Sequence, residues 1–284
     1  MTGVHWQPKP MLNPIFYPIT SLMYAALAAY FWRVNWLPAT AAAGADSRAA
    51  EHLTVFVPML LHAVLLYQSV FAGEGMHLGI GNALSAIVWL TVAIYWLGNL
   101  VYKVEGLQAM VMPVAAACVL LPVLFPAARA LPNTELVAFK AHLVISLLAY
   151  SFFTIASLHV LLMALLERRL HDGDLPFGLH KLPPLLTMET LLFRIIAAGF
   201  VLLTLTLVSG IVFSEELFGK ALRFNHKTVF GVLSWLIFAA LLGGRRLYGW
   251  RGRIAVRWTL AGFLMLVLAY VGSKFVLEVV LGRT

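Results

Sequence analysis

The chain has 284 residues, of which 62% are hydrophobic and 11% are charged, and its formal net charge at pH 7 is +8. A soluble globular protein contains about 45–50% apolar and about 25% charged residues, so this chain cannot cover itself with a surface that is compatible with water. The composition excludes a soluble enzyme with one buried core, a disordered tail and a disulfide-stapled secreted domain, and it indicates a membrane protein.

Eight apolar runs follow one another along the chain, and each is long enough for a helix of about 20 residues that crosses a bilayer. They lie near residues 14–32, 53–72, 80–100, 107–128, 138–166, 190–213, 226–244 and 258–281. The predicted fold class is an all-α polytopic membrane protein, a bundle of eight transmembrane helices in a single integral membrane domain over residues 1–284. With these bounds, no run has an aspartate or glutamate deep inside it, which disfavours a carboxylate proton relay or a cation pump.

An arginine-rich stretch between the seventh and eighth runs sets the predicted orientation. It contains Arg245, Arg246, Arg251, Arg253 and Arg257. Because Lys and Arg are retained on the cytoplasmic side, eight alternating spans place both termini outside the cytoplasm. Small residues at 41–45 could form a signal-peptide cleavage site. Cleavage would leave seven spans and place the arginines outside the cytoplasm, so the predicted orientation argues against it. The stretch favours membrane lipid as a partner, and we predict no nucleic-acid binding.

Histidine is the residue type in these runs that can carry chemistry. The single cysteine, Cys118, excludes an internal disulfide or a thiolate cluster, so redox chemistry would need a bound cofactor. Five of the nine histidines lie in the runs or at their ends: His62, His77, His142, His159 and His226. Neutral imidazole binds iron well and commonly ligates haem between membrane helices, so these five are the predicted cofactor-binding residues.

The outer ends of the fifth and seventh runs each carry one histidine, His142 and His226. Since the two share a depth, we predict that they are the metal-binding pair and ligate one haem iron from opposite sides. His77 is a third candidate in the same layer. Lys140 and Lys227 each neighbour a candidate histidine, and each lysine either reaches the lipid headgroups or pairs with the haem propionates.

A second depth-matched pair, His62 and His159, lies nearer the cytoplasm. His142 and His159 are 17 positions apart on one predicted helix, which is about 25 Å along its axis, so they cannot serve the same haem. A single histidine inside a membrane is more often a hydrogen-bonded packing group than a ligand, and all five candidates have that alternative.

The motifs of several enzyme classes are absent from the sequence. It contains no glycine-rich phosphate loop, no H-E-x-x-H motif and no Ser–His triad order. Nothing therefore suggests nucleotide hydrolysis, and we predict that the protein is not an enzyme.

Four stretches of the C-terminal half resemble the cytochrome c assembly family of haem-handling membrane proteins, the CcsA, CcmC and HemX-type group. They read AHLVISLLAYSFFTIASLHVLLMALLERRL (141–170), FRIIAAGFVLLTLTLVSGIVF (193–213), HKTVFGVLSWLIFAALLGGRR (226–246) and GWRGRIAVRWTLAGFLMLVLAYVG (249–272). They cover about half of the chain, in the family's order and with similar spacing. The four N-terminal runs are similar only loosely, in the manner of the YpjD-like and HemX-like branch.

The resemblance implies a multi-pass protein of the bacterial inner membrane that binds haem b between its helices and delivers it to the outer face for attachment to apocytochrome c. His142 falls on the position of an outer histidine of that family. Such members also carry a tryptophan-rich haem-binding loop that ends in an aspartate, whereas residues 214–235 hold no tryptophan before Trp235 and no aspartate. Because of this departure, a role in haem homeostasis or in support of another membrane complex is favoured as much as a role in haem delivery.

Three functions stay open at this point. The first is a non-enzymatic haem-binding protein of cytochrome c biogenesis, with other membrane proteins of the cytochrome c or haem pathways as partners. The second is a HemX-like regulatory or scaffold protein that binds no haem and supports haem biosynthesis or another membrane complex. The third is a b-type quinol oxidoreductase, in which His62 and His159 bind an inner haem and the outer pair binds a second.

Overall fold

The structure is a computed structural model that describes residues 13–36, 47–71, 75–101, 106–127, 130–131, 134–171, 184–212 and 226–272. Three sequence predictions concern segments that lie wholly or partly outside the described residues. These are the cleavage site at 41–45, the departure from a tryptophan-rich loop at 214–235, and the end of the last predicted span, 273–281.

The described residues form helices and no strands, which confirms the all-α prediction. In chain order the helices of this part are α1 (Phe16–Trp36), α2 (Ser47–Val70), α3 (Ile80–Val101), α4 (Gln108–Cys118), α5 (Leu121–Leu124), α6 (Val137–His171), α7 (Leu185–Val212), α8 (His226–Tyr248) and α9 (Arg253–Val267). A π-helical turn at Leu268–Gly272 extends α9.

Within the described ranges, six helices are long and apolar enough to cross a membrane: α2, α3, α6, α7, α8 and α9. α7 illustrates why a bilayer suits them, because it exposes the large apolar side chains of Val201, Leu205, Val208 and Ile211. An exposed stripe of this kind is costly in water and stable against lipid. Crossing by α1 and by the short α4–α5 pair stays a prediction.

The fourth predicted run is interrupted. It forms α4 and the four-residue α5, separated at Val119 and Leu120. Pro122 accounts for the interruption, because proline has no N–H for the carbonyl of Cys118 and its ring collides with that carbonyl in a continuous helix. α5 packs closely on α3, where a Cβ added to Gly81 would collide with the carbonyl oxygens of Leu121 and Phe125.

α6 occupies the centre of the bundle and packs against α3, α7 and α9, while α1 packs on α2 and α4. Ser151 of α6 donates a hydrogen bond to the carbonyl of Ile87 on α3, with a donor–acceptor distance of 2.9 Å. Phe153 of α6 stacks on Phe238 of α8 with ring centroids 3.9 Å apart. These contacts fix the relative height of the helices, and this height decides which histidines share a depth.

The arginine-rich stretch is mostly helical rather than a loop. Arg245 and Arg246 lie in the last turn of α8, and Arg253 begins α9. Only residues 249–252 connect the two helices, and Gly249 and Gly252 have φ angles of 68° and 58°, which a side chain would disfavour. The backbone of these arginines therefore belongs to a tight helical hairpin at one end of the bundle.

Candidate functional site

His142 lies on the second turn of α6, partly buried against the end of α7. Its Nδ1 atom is 2.8 Å from the Oγ atom of Ser209 on α7. The Ser209 hydroxyl has one hydrogen, which it donates to the carbonyl of Thr206 at 3.1 Å. Two arrangements fit these distances. With the hydroxyl donating to Thr206, Ser209 accepts from His142, the imidazole proton lies on Nδ1 and the lone pair on Nε2, which is the tautomer that an iron ligand at Nε2 needs. With the proton on Nε2, Ser209 donates to Nδ1 instead.

The α6–α7 hairpin has an antiparallel register that places this contact near one end of the bundle. Three contacts define the register: His142 with Ser209, Phe153 with Gly199, and His159 with Met188. The last turn of α7 passes close to the His142 ring, because a Cβ added to Gly210 would lie 3.4 Å from the ring's Cε1 atom. Glycine at 210 therefore leaves space beside the imidazole.

His226 is the first residue of α8, and its side chain lies outside the described residues. The height of its backbone follows from the contacts between α7 and α8: Leu207 lies beside Gly231, and the Trp235 indole N–H donates to the Thr204 hydroxyl at 2.9 Å. Continuing this antiparallel register by five residues from Gly231 leads to the level of Val212. Val212 is three residues from Ser209, about 4.5 Å along α7. His142 and His226 thus border the same last turn of α7.

His77 lies just before α3, at the same end of the bundle. The α3–α6 contact between Ile87 and Ser151 is part of a parallel arrangement, and Leu78 shares a small apolar cluster with Leu143, the neighbour of His142. The His77 N–H donates to the carbonyl of Val70 at 2.7 Å, and the His77 carbonyl accepts from the Asn82 amide at 2.7 Å. These bonds hold the His77 backbone in the layer that the sequence predicts for it.

Lys227 follows His226 at the start of α8, and its side chain is exposed. Lys140, one turn from the start of α6, has an ion pair with Glu135, with an Nζ–Oε2 distance of 4.0 Å. Both lysines therefore stand at the end of the bundle that carries His142. An exposed pair of this kind contributes little stability, so the Lys140 ammonium group can exchange Glu135 for another anion.

His62 is fully buried on α2 and contacts α1 and α3. Its Nε2 atom is 2.8 Å from the Ser85 hydroxyl, and its ring meets the Tyr24 ring edge-on, with centroids 5.8 Å apart. The His62 Nδ1 atom and the Tyr24 hydroxyl are both buried, and neither has a hydrogen-bond partner in the described part of the chain. His62 is thus held within the N-terminal group of helices.

His159 is equally buried but faces α7. Its Nε2 atom lies 2.9 Å from the carbonyl oxygen of Met188, which can only accept, so Nε2 carries the proton. The nitrogen that usually ligates haem iron is therefore committed to the backbone. Hydrogen bonds hold His62 against α3 and His159 against α7.

Sequence reasoning missed a buried ion pair at the opposite end of the bundle. α7 begins five residues earlier than predicted, so Glu189 lies inside the helix rather than in a connection, and its side chain is only 9% exposed. It accepts a hydrogen bond from Arg245 on α8 at 2.5 Å. Arg245 also donates to the Trp250 carbonyl and lies over the Phe193 ring, 4.7 Å from its centroid. Pro184, at the position where helices often start, was the available signal.

No group of three or more histidine, cysteine, aspartate or glutamate side chains with the geometry of a metal site occurs among the residues that the structure describes. An iron site at the end of the bundle that carries His142 would therefore rest on two histidines.

Most of the chain matches a known protein family. A family model described as "Cytochrome C assembly protein" matches residues 47–281. The "Inner membrane protein YpjD" of Escherichia coli (strain K12) is 36% identical over 139 residues, which is 49% of this chain and 52% of that relative. The chain thus matches about half the length of YpjD.

Two further relatives align over nearly the whole chain. The "Cytochrome c biogenesis protein CcsA" of Prochlorococcus marinus (strain AS9601) is 28% identical over 296 aligned residues, covering 93% of each chain. An uncharacterized 28.8 kDa protein of Azospirillum brasilense is 28% identical over 277 residues, covering 96% of this chain and 100% of the relative. No solved structure matches.

Proposed function

The chain belongs to the cytochrome c assembly protein family, and from that premise we propose that it is a haem-binding protein of the bacterial inner membrane that takes part in cytochrome c biogenesis. The proposed site lies where the last turn of α7 borders the starts of α6 and α8. Its ligands are His142 and His226, and the bound species is haem b.

The observation that carries the proposal is the hydrogen bond between His142 and Ser209. A histidine that ligates a metal through one ring nitrogen usually donates from the other to a nearby oxygen, and that bond fixes both the tautomer and the orientation of the ring. In the proposal Ser209 has this role for His142 and donates its own proton to the Thr206 carbonyl.

Each residue at this end has a distinct role in the proposal. A bound haem would supply an iron that binds imidazole nitrogens and propionates that need cations. His142, through Nε2, and His226 would hold the iron, and Lys227 would pair with a propionate at the aqueous edge. His77 closes the layer from the side of α3.

The proposed orientation follows from the two ends of α8. This helix begins at His226 and ends with Arg245 and Arg246 in its last turn. Arginines are retained in the cytoplasm, so the histidine end faces outward. We therefore propose eight spans with both termini outside the cytoplasm, and a haem site that opens toward the compartment where cytochromes c are assembled.

A second candidate function is a haem-free scaffold of the HemX-like type. Its support comes from His62 and His159, which are buried and hydrogen-bonded within the helix packing. If His142 plays the same part through Ser209, the bundle serves to dock other membrane proteins. The similarity to YpjD, whose name states only an inner membrane location, is compatible with either function.

A visible spectrum separates the two functions. The full chain, purified in detergent from haem-replete cells, is expected to show a Soret band at about 400 nm that shifts on reduction with dithionite. His142→Ala and His226→Ala should each weaken this band. A haem-replete preparation without absorbance in this region would contradict the proposal and favour the scaffold.

A further inference from the structure

A cavity of about 700 Å³ lies at the arginine-rich end of the bundle, between the C-terminal turns of α6 and the first turns of α9. Its polar lining comes from Glu167, Arg168 and His171 on α6, and from Arg253 and Arg257 on α9. This is the end opposite to the proposed haem site, and the following proposal does not depend on haem binding.

The lining of this cavity is positively charged. Three arginines face one glutamate, which leaves a net charge of +2 with His171 neutral. Arg253 pairs with Glu167 at 3.9 Å, but both side chains are well exposed, at 84% and 48%, so water weakens this contact. No ion-pair partner for Arg168 or Arg257 occurs among the described residues. The cavity thus presents two guanidinium groups that an anion can bridge.

The cavity also has an apolar part, called the apolar wall below, which is formed by Ala164, Leu170 and Val256 on the same two helices. Both α6 and α9 are helices that can cross a membrane, and the cavity lies near the ends of these helices, where headgroups meet acyl chains. A free inorganic anion would gain nothing from the apolar wall. An anionic lipid would use both parts, its phosphate on the arginines and its first acyl carbons on the wall.

We propose that this cavity is a binding site for the phosphate group of an anionic phospholipid, with Arg168 and Arg257 as its main ligands. Guanidinium groups suit this task, because their planar forks donate paired hydrogen bonds to phosphate oxygens. Arg253 is a secondary ligand, since it can leave Glu167 when the phosphate enters. Basic pockets between membrane helices on the cytoplasmic side commonly hold such headgroups.

Lipid binding to the full chain in detergent tests the proposal. Dioctanoyl phosphatidylglycerol is titrated against dioctanoyl phosphatidylcholine and inorganic phosphate, with binding counted by native mass spectrometry. The wild-type chain should bind the anionic lipid about tenfold more tightly than the zwitterionic one, and inorganic phosphate should not compete at equal concentration. The double substitution Arg168→Gln with Arg257→Gln should remove this preference.

The matched control is Arg246→Gln with Arg251→Gln. Both arginines are exposed at the same end of the bundle and do not line the cavity, so the control removes the same charge without changing the site. It should change the affinity less than about twofold. An equal loss in both double variants would mean general surface attraction and would overturn the proposal. Competition by inorganic phosphate would overturn the lipid assignment.

A third variant tests the apolar wall without changing any charge. Val256→Trp fills the cavity from α9 and should lower affinity for the anionic lipid about tenfold. Unchanged lipid affinity in Val256→Trp would overturn the proposed position of the lipid.

If the two arginine substitutions prevent folding, Arg168→Lys with Arg257→Lys keeps the charge and loses the forked geometry.

Discussion

The imidazole of His142 on α6 lies 2.8 Å from the hydroxyl oxygen of Ser209 on α7, and that hydroxyl donates in turn to the carbonyl of Thr206. A carbonyl can only accept and a serine hydroxyl has one hydrogen, so when Ser209 donates to Thr206 it accepts from His142 and the imidazole proton lies on Nδ1. Ser209 is a positioning residue for the proposed haem ligand.

The substitution Ser209→Ala should weaken haem binding although Ser209 does not contact the haem. Loss of its oxygen frees the His142 ring to rotate and to exchange tautomers, and an outer-shell change of this kind typically costs about 10–100-fold in affinity for the metal. Titration of the haem-free chain with haem, followed by the Soret band, measures the change. Ser209→Thr keeps the hydroxyl and should restore most of the affinity.

Ser146→Ala is the matched control for this substitution. Ser146 lies one turn along α6, and its hydroxyl donates to the backbone carbonyl of His142 at 2.6 Å without contacting the ring. Its removal should leave the haem affinity within about twofold of the wild type, since the ring nitrogens are unaffected. Equal losses from Ser146→Ala and Ser209→Ala would contradict the positioning role.

The ion pair between Glu189 and Arg245 should be the main electrostatic contribution to the docking of α7 on α8. Glu189→Gln leaves the Arg245 guanidinium without its carboxylate, at a position where only a third of its side chain is exposed. We expect the free energy of unfolding to fall by about 1–3 kcal/mol, less than for a fully buried pair. Thermal unfolding in detergent, followed by tryptophan fluorescence, measures the loss.

Glu167→Gln provides the comparison, because it makes the same chemical change in a well-exposed pair with Arg253. Its effect on stability should stay below about 1 kcal/mol. If the two substitutions destabilise the protein equally, the burial of Glu189 does not matter and the first prediction is wrong.

The sequence predicted the helices because an apolar run of about 20 residues has few other stable structures in a membrane. It did not predict the break at Pro122, because a proline does not always interrupt a helix: Pro58 and Pro113 lie inside α2 and α4. It also missed the early start of α7, which Pro184 signals.

The partner of His142 was beyond sequence reasoning. Ser209 meets this ring only because of the hairpin register of α6 and α7, and register is set by side-chain packing such as that of Phe153 on Gly199.

His159 should be a structural residue and not a haem ligand. Its Nε2–H donates to the Met188 carbonyl, which also lies within the hydrogen-bond ladder of α7, so His159→Leu removes one buried hydrogen bond and should cost about 0.5–1.5 kcal/mol of stability. His159→Gln carries an amide that can donate to the same carbonyl and should lose less. Neither substitution should change the Soret band. A band that disappears in both would instead support an inner haem, as in a quinol oxidoreductase.

The close approach of α5 to α3 should make Gly81 intolerant of any side chain. A Cβ at this position meets the carbonyl oxygens of Leu121 and Phe125, and backbone atoms cannot move aside as a flexible side chain can. Gly81→Ala should therefore cost about 1–3 kcal/mol, as expected for overpacking. Gly98→Ala, on the same helix with nothing within 4 Å of the new Cβ, should be neutral or gain about 0.5–1 kcal/mol from the better helix propensity of alanine. Unfolding in detergent compares the two variants, and a Gly81→Ala chain as stable as Gly98→Ala would show that α5 does not pack on α3 as described.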